Sequence, residues 1–320
     1  MSLRSLQRSL NLFTTLINGT SDLLSWQQSL YSRLLSPKAF RVLVWGSARQ
    51  IPKYDAEIEA ITDGLFKKYL ELRKEMPDLI VDVISGGNLP HTIMGKIPGL
   101  WSDRIEQYNN AHPDAPLYGS SFAITLDLLK NLEQVPSNKF GVVNSFMSFF
   151  TRVMTFWMIS HFCLILPGGR GTLFEASLFG QMSQFLARSV GKVGDPDTGF
   201  PLSPEHRRPD LLTKYHIFPR VFFFSKFWQP IHDLYQIQLA EHMVSEEETI
   251  DPLVSPPILE TAEQVVAEFE RAVRDWKLHR QKNDFYGNLS WWELIILRLF
   301  TKRVNLRKRF TKSLSDACQK

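Results

Sequence analysis

Apolar residues along this chain follow two rhythms, short continuous runs and longer stretches spaced by three and four, and the two alternate. The runs Phe40–Trp45, Leu79–Ile84, Tyr118–Leu126, Phe162–Leu166 and Ile217–Phe224 have the length and apolar content of buried strands. Between them, Asp55–Lys74 places Ile58, Ile61, Leu65, Phe66 and Tyr69 at helical spacing. Thr261–Arg280 does the same with Val265, Val266, Phe269, Val273 and Trp276. Phe146–Ile159 and Trp228–His242 are predicted helices, Gly141–Val143 a very short strand, and Ser255–Glu260 a loop or short final strand. The helix expected around His91–Gly95 is short or broken, because Pro90 and Pro98 bracket it. Residues 188–216, with Gly191, Gly194 and four prolines among many charges, read as a long surface loop.

This alternation predicts an α/β fold, a mostly parallel sheet with helices on both faces, over about 37–280. Two amphipathic segments flank it. Residues 1–36 form an N-terminal helical extension in which Leu3, Leu6, Leu10, Phe13 and Ile17 share a face beside Arg4 and Arg8. Residues 281–320 form a basic C-terminal helical extension, with Trp291, Trp292, Ile295, Ile296, Leu299 and Phe300 on one stripe. Either could dock on the domain, on a protein partner or on a lipid surface as a peripheral contact.

Composition narrows the class. With 320 residues and 44% of them hydrophobic, the chain can bury a large core. The net charge of +4 is modest. The closing cluster Lys302, Arg303, Arg307, Lys308, Arg309 and Lys312 is most simply a solvated basic tail, so no specific nucleic-acid binding is expected. Cys163 and Cys318 are the two cysteines, and neither has a neighbour at disulfide-framework or zinc-ligand spacing. The apolar run Val153–Leu166 is too short, and too interrupted by Ser160 and His161, to span a bilayer. A soluble, cytoplasmic protein is expected.

The chemistry concentrates in Leu166–Glu175, LPGGRGTLFE. A strand, a glycine loop and a helix start form an anion site, since unpaired backbone N–H groups and the helix dipole converge there. Pro167 stiffens the strand exit, while Gly168, Gly169 and Gly171 permit tight turning and close approach of an anion. Thr172 can add a hydroxyl or cap the helix. Glu175 stands three residues after Thr172, so the pair also fits a capping box. The alternative is that Glu175 touches sugar hydroxyls or assists chemistry at a sugar carbon. Two more loops, Gly46-Ser47-Ala48-Arg49 and Ser85-Gly86-Gly87-Asn88, follow predicted strands, so all three can share the carboxyl edge of a parallel sheet. Arg152, inside the apolar FFTRVMTF, must reach solvent, find a carboxylate such as Glu175 or Asp127, or bind an anion. Asn144 and Ser145 precede the predicted helix and can cap it near the ligand edge. His161 reads as a satisfied histidine of the sheet layer. Neither a full dinucleotide fingerprint nor a Walker sequence is present.

These residues resemble the Lonely Guy family, once taken for lysine decarboxylases. Its PGG-x-GT-x-x-E motif is matched by Pro167–Glu175, its upstream arginine by Arg152, and its first strand and loop by residues 41–49. The family's lysine after the arginine is Val153 here. Its GGG-x-x-GLMG or GIME region is altered to Gly86-Gly87-Asn88-Leu89-Pro90-His91-Thr92-Ile93-Met94-Gly95, one residue longer. The resemblance implies a Rossmann-like three-layer sandwich and a homodimer. It also implies hydrolysis of the N-glycosidic bond of a purine-like nucleoside 5'-monophosphate. Arg152 and Glu175 would be catalytic. Gly46, Ser47, Gly86, Gly87, Asn144, Pro167, Gly168, Gly169, Gly171 and Thr172 would hold the substrate, with no cofactor or metal. The altered second loop and Val153 favour the alternative, a non-catalytic nucleotide-binding or carrier protein.

Overall fold

The computed structural model describes residues 39–126, 141–146, 152–153, 156–157, 159–191, 219–241, 243 and 257–282, with main chain alone at 126, 141–146, 181–191 and 279–282. The expected terminal extensions before 39 and after 282 lie outside these residues, as do Asp127 and residues 192–218. The fold is α/β, Rossmann-like, with a parallel sheet flanked by helices. The chain separates into two compact units, Met1–Ile159 and Ser160–Lys320.

In the first unit the order of elements is β1 (Ala39–Trp45), α1 (Asp55–Glu75), β2 (Ile80–Ser85), α2 (Ile93–Ala111), β3 (Ser120–Leu126) and β4 (Gly141–Phe146). The strands lie side by side as β4-β3-β2-β1, every pairing parallel. All seven residues of β1 are buried, which is why the strand reads as a continuous apolar run. Its one charge, Arg41, stands opposite Asp82 of β2 in the register, and both are buried. The Arg41 guanidinium donates to the Ile159 carbonyl at 3.4 Å. Asp82 accepts the Ser120 N–H at 3.0 Å. Such partners are what permit charged groups inside a sheet.

Helix α2 departs from expectation. It runs 19 residues, with Pro98 inside it. An interior proline costs about 3 kcal/mol, but Ile97, Trp101 and Ile105 are buried on the same helix. Each large apolar side chain so placed returns roughly 1.5–3 kcal/mol, and the balance favours one continuous helix. Strand β4 is also longer than expected. Past a register shift at Ala123/Ile124, Asn144, Ser145 and Phe146 pair with Ile124, Thr125 and Leu126. Asn144 and Ser145 are therefore strand residues and not helix caps. Residues 152, 153, 156, 157 and 159 are helical.

The second unit holds β5 (Phe162–Ile165), α3 (Arg170–Gly191), β6 (Arg220–Phe224), α4 (Gln229–Ala240), β7 (Ile258–Leu259) and α5 (Ala262–Lys282). Its strands are ordered β5-β6-β7, again parallel. Residues 188–191, expected in a loop, complete α3. The start of α5 is a capping box: Thr261 Oγ1 accepts the Gln264 N–H, and Gln264 Oε1 accepts from Thr261 and Glu260. His161 is half-buried before β5, its carbonyl accepting the Arg220 N–H and its ring edge-on to Trp276 at 5.7 Å. The structural reading of that histidine is the one the geometry supports. Among the described residues no helix is long and apolar enough to cross a membrane.

Candidate functional site

The first unit brings two of the predicted loops together. Leaving β1, Gly46 is buried and Ser47 Oγ accepts the Arg49 N–H at 3.1 Å. The carbonyls of Ser47 and Arg49 then receive the N–H groups of Met94 (3.1 Å) and Ile93 (3.2 Å). Thr92 is the N-cap of α2, its hydroxyl oxygen accepting from Gly95 N and donating to Leu89 O. The first three N–H groups of α2 are consequently all bonded within the protein. That helix start is closed as an anion site of the usual kind. Thr92 and the two loop carbonyls are the contributors that sequence reasoning missed. A threonine directly before an apolar helical pattern was the available signal, and the flanking prolines obscured it.

Gly86 and Gly87 do different work. Gly87 has φ 79°, the left-handed region that suits glycine, and its N–H bonds Ser85 Oγ. At Gly86 a β-carbon would lie 3.4 Å from Arg152 Nη1 and 3.3 Å from Met94 Sδ. Arg152 is thus brought against the second glycine loop, 3% exposed, with its guanidinium carbon 5.9 Å from the Phe156 ring centre. It does not reach solvent. Asn88, which occupies the third glycine position of the family pattern, is buried and turns its side-chain oxygen back onto the Leu89 N–H at 2.8 Å. Asn144 lies in β4, beside Ile124.

In the second unit α3 starts earlier than a capping box at Thr172 and Glu175 would require. Helix α3 begins at Arg170, and the Leu173 N–H bonds the Gly169 carbonyl at 3.0 Å. Gly169 is therefore the cap, Thr172 sits inside the first turn, and Thr172 and Glu175 do not form a capping box. None of the three loop glycines adopts positive φ. Gly168 is needed for close approach instead, since a β-carbon there would meet Thr172 Oγ1 at 2.2 Å. At Gly169 and Gly171 a β-carbon would meet nothing within 4 Å, and both residues are exposed. The Arg170 and Gly171 N–H groups have no hydrogen-bond partner among the described residues. Among the described residues, this helix start is open.

Glu175 lies one turn farther along α3 and is buried, as is Thr172. Beneath them in β5, burial and then the nearby Glu175 carboxylate push the Cys163 thiol well above its ordinary range. Cys163 is accordingly an inert, free core thiol. Among the described residues, no group of three or more His, Cys, Asp or Glu side chains could hold a metal ion. Compared with protein-family models and with curated proteins, the sequence matches none.

Proposed function

We propose that the protein is a phosphoribohydrolase that cleaves the N-glycosidic bond of a purine-like nucleoside 5'-monophosphate. The observation that carries this reading is the contrast between two helix starts. That of α2 is consumed by Ser47, Arg49 and Thr92. That of α3 has open N–H groups and a buried carboxylate in the following turn. An exposed N-terminal turn suits a phosphate. A carboxylate one turn away is repelled by a phosphate and so cannot be its ligand, but it suits the hydroxyls of a sugar.

In the reaction, water adds to the anomeric carbon, the carbon–nitrogen bond breaks, and its electron pair leaves with the base, which takes a proton. Free base and ribose 5-phosphate result. Glu175 would engage the ribose, orient the water, or stabilise the positive charge that develops on the sugar. Arg152 would clamp the substrate. We also take the protein to be cytoplasmic and homodimeric, with its terminal segments as contacts for a protein or membrane surface.

The second reading, a non-catalytic nucleotide carrier, draws on the closed α2 start and on Asn88 bonded back to its own loop. Base release from a panel of nucleoside 5'-monophosphates separates the two. The matching nucleosides and Glu175→Gln serve as controls. The hydrolase reading expects release that needs the 5'-phosphate and falls roughly a hundredfold or more in Glu175→Gln. Retained binding without release in the wild type leaves the carrier.

A further inference from the structure

Helix α4 (Gln229–Ala240) stands apart from the other described helices. Helix α5 buries Val265, Phe269, Ala272, Val273 and Trp276, whereas none of the 12 residues of α4 is buried. A helix of this length is marginal by itself in water and owes its stability to a packed apolar face. Inward, α4 is anchored by the turn before it, where Trp228 is buried edge-on against Phe223 of β6 at 5.2 Å. Outward, Leu234 and Ile237 share one side by their spacing and are 50% and 60% exposed. Phe227, just before the helix, is 46% exposed. The exposed acids Asp233 and Glu241 border this apolar row, and residues 229 to 243 include no Lys or Arg.

What covers such a row is decided by charge and by reach. Asp233 and Glu241 repel an anionic lipid surface, and no cation from 229 to 243 would hold one. A second copy packed on the same row would bring these carboxylates toward their own kind. The matching piece follows α5 in this same chain and compact unit, outside the described residues. There Trp291, Trp292, Ile295, Ile296, Leu299 and Phe300 recur at helical spacing, flanked by Arg298 and followed by Lys302 and Arg303. We propose that this C-terminal stripe covers the outer side of α4 as an antiparallel helix, with Trp292 near Ile237, Ile295 near Leu234 and Arg298 beside Asp233. The direction follows from the tether. Helices α4 and α5 set out from one rim, since Ser225 bonds Leu259 and Lys226 pairs with Glu260 at 3.3 Å just before them. Helix α5 runs 21 residues against 12, so its end lies beyond the end of α4. Trp291 comes nine positions after Lys282, a reach of up to about 30 Å, and meets that end first. In an antiparallel pair equivalent flanks face each other, which sets Arg298 and Asp233 on one side. This docking holds whether or not the protein is a hydrolase.

Amide hydrogen exchange across 229–241 of the full chain tests it, with α5 as the internal reference. Leu299→Asp should speed exchange of α4 about tenfold or more and leave α5 unchanged. Asp233→Arg and Arg298→Asp should each speed it about two- to fivefold, and the double reversal should restore wild-type exchange. Under mild oxidation Leu234→Cys with Ile295→Cys, in a Cys318→Ser background, should close a disulfide within one chain. Exchange of α4 unchanged by Leu299→Asp overturns the proposal. So does a disulfide formed only between chains, which would mark a second copy as the cover. Protection of α4 that rises only with phosphatidylserine vesicles also overturns it, in favour of a lipid surface. Where Leu299→Asp loosens α5 as well, the charge reversal decides, and a double variant that fails to recover protection overturns the docking.

Discussion

Thr172 fills the space that a side chain on Gly168 would need. A β-carbon built on Gly168 would lie 2.2 Å from the threonine Oγ1, 2.6 Å from its Cβ and 2.9 Å from its Cγ2. The loop and the first turn of α3 are thereby pressed together, which sets the angle at which the open N–H groups leave the strand. Gly168→Ala should destabilise the protein by about 1–3 kcal/mol and weaken binding of ribose 5-phosphate. Because Cβ of Thr172 is itself too near, the added change Thr172→Ala should not restore stability. Thermal unfolding of the double variant checks this. A full recovery would mean that the hydroxyl and methyl of Thr172, and not its Cβ, make the contact.

Gly95 gives a sharper prediction. Gly→Ala within a helix ordinarily stabilises by up to about 1 kcal/mol. Here the new methyl would sit 2.2 Å from the Leu89 carbonyl oxygen and 2.9 Å from that of Asn88, both backbone atoms. Gly95→Ala is therefore expected to destabilise, against the helical trend, in chemical denaturation. Gly86→Ala should be much milder in stability, since its nearest neighbours are the flexible Met94 side chain at 3.3 Å and Arg152 Nη1 at 3.4 Å.

The cap of α2 can be tested by chemistry instead of size. Thr92 Oγ1 accepts from Gly95 N at 3.1 Å and donates to Leu89 O at 2.7 Å. Thr92→Ala should cost about 1 kcal/mol, and Thr92→Ser should recover most of it. Equal losses in both variants, measured by urea titration, would assign the effect to the threonine methyl and not to the hydroxyl.

Alkaline pH addresses the core of the first unit. Burial, reinforced by the Asp82 charge and opposed by Arg73, pushes the Tyr69 hydroxyl up to about 12 from its ordinary 10.0. The unfolded chain thus loses this proton before the folded one does. Stability attributable to Tyr69 is complete below pH 10 and drains away as the pH rises toward 12, by up to roughly 2–3 kcal/mol. Tyr69→Phe should flatten that part of the stability curve relative to wild type. A parallel decline in the two proteins from pH 10 to 12 would contradict the assignment.

How much of this could be read in the sequence depended on whether residue type reports the deciding physics. The bounds of α1 follow from an uninterrupted helical period, and β1 from a run buried on both faces. Helix α2 was hidden because Pro98 is a strong local breaker, whereas the burial of Ile97, Trp101 and Ile105 that outweighs it is a tertiary fact. The three glycine loops were legible as loops. Their inner bonding was not, since the carbonyls of Ser47 and Arg49 act through the main chain and carry no residue signature. The start of α3 at Arg170 removed the capping-box alternative for Glu175, a matter of three residues that periodicity cannot resolve.

The parallel pairing of every described strand within the first unit has one more consequence. Chain ends that enter and leave a strand are sorted to opposite rims. The rim bearing Gly46–Arg49 and Gly86–Gly95 carries the candidate chemistry, while the other, among the described residues, handles the returns before β2 and β3. Arg73 ties those returns together through the carbonyls of Pro77 and Pro116, and Asn109 fastens Leu117 in both directions. Between these anchors the tip at His112–Ala115 is exposed. Insertions there can accumulate without reaching a residue that touches substrate, so that rim is where relatives of this chain can diverge in length at little functional cost, and where a label or tag belongs.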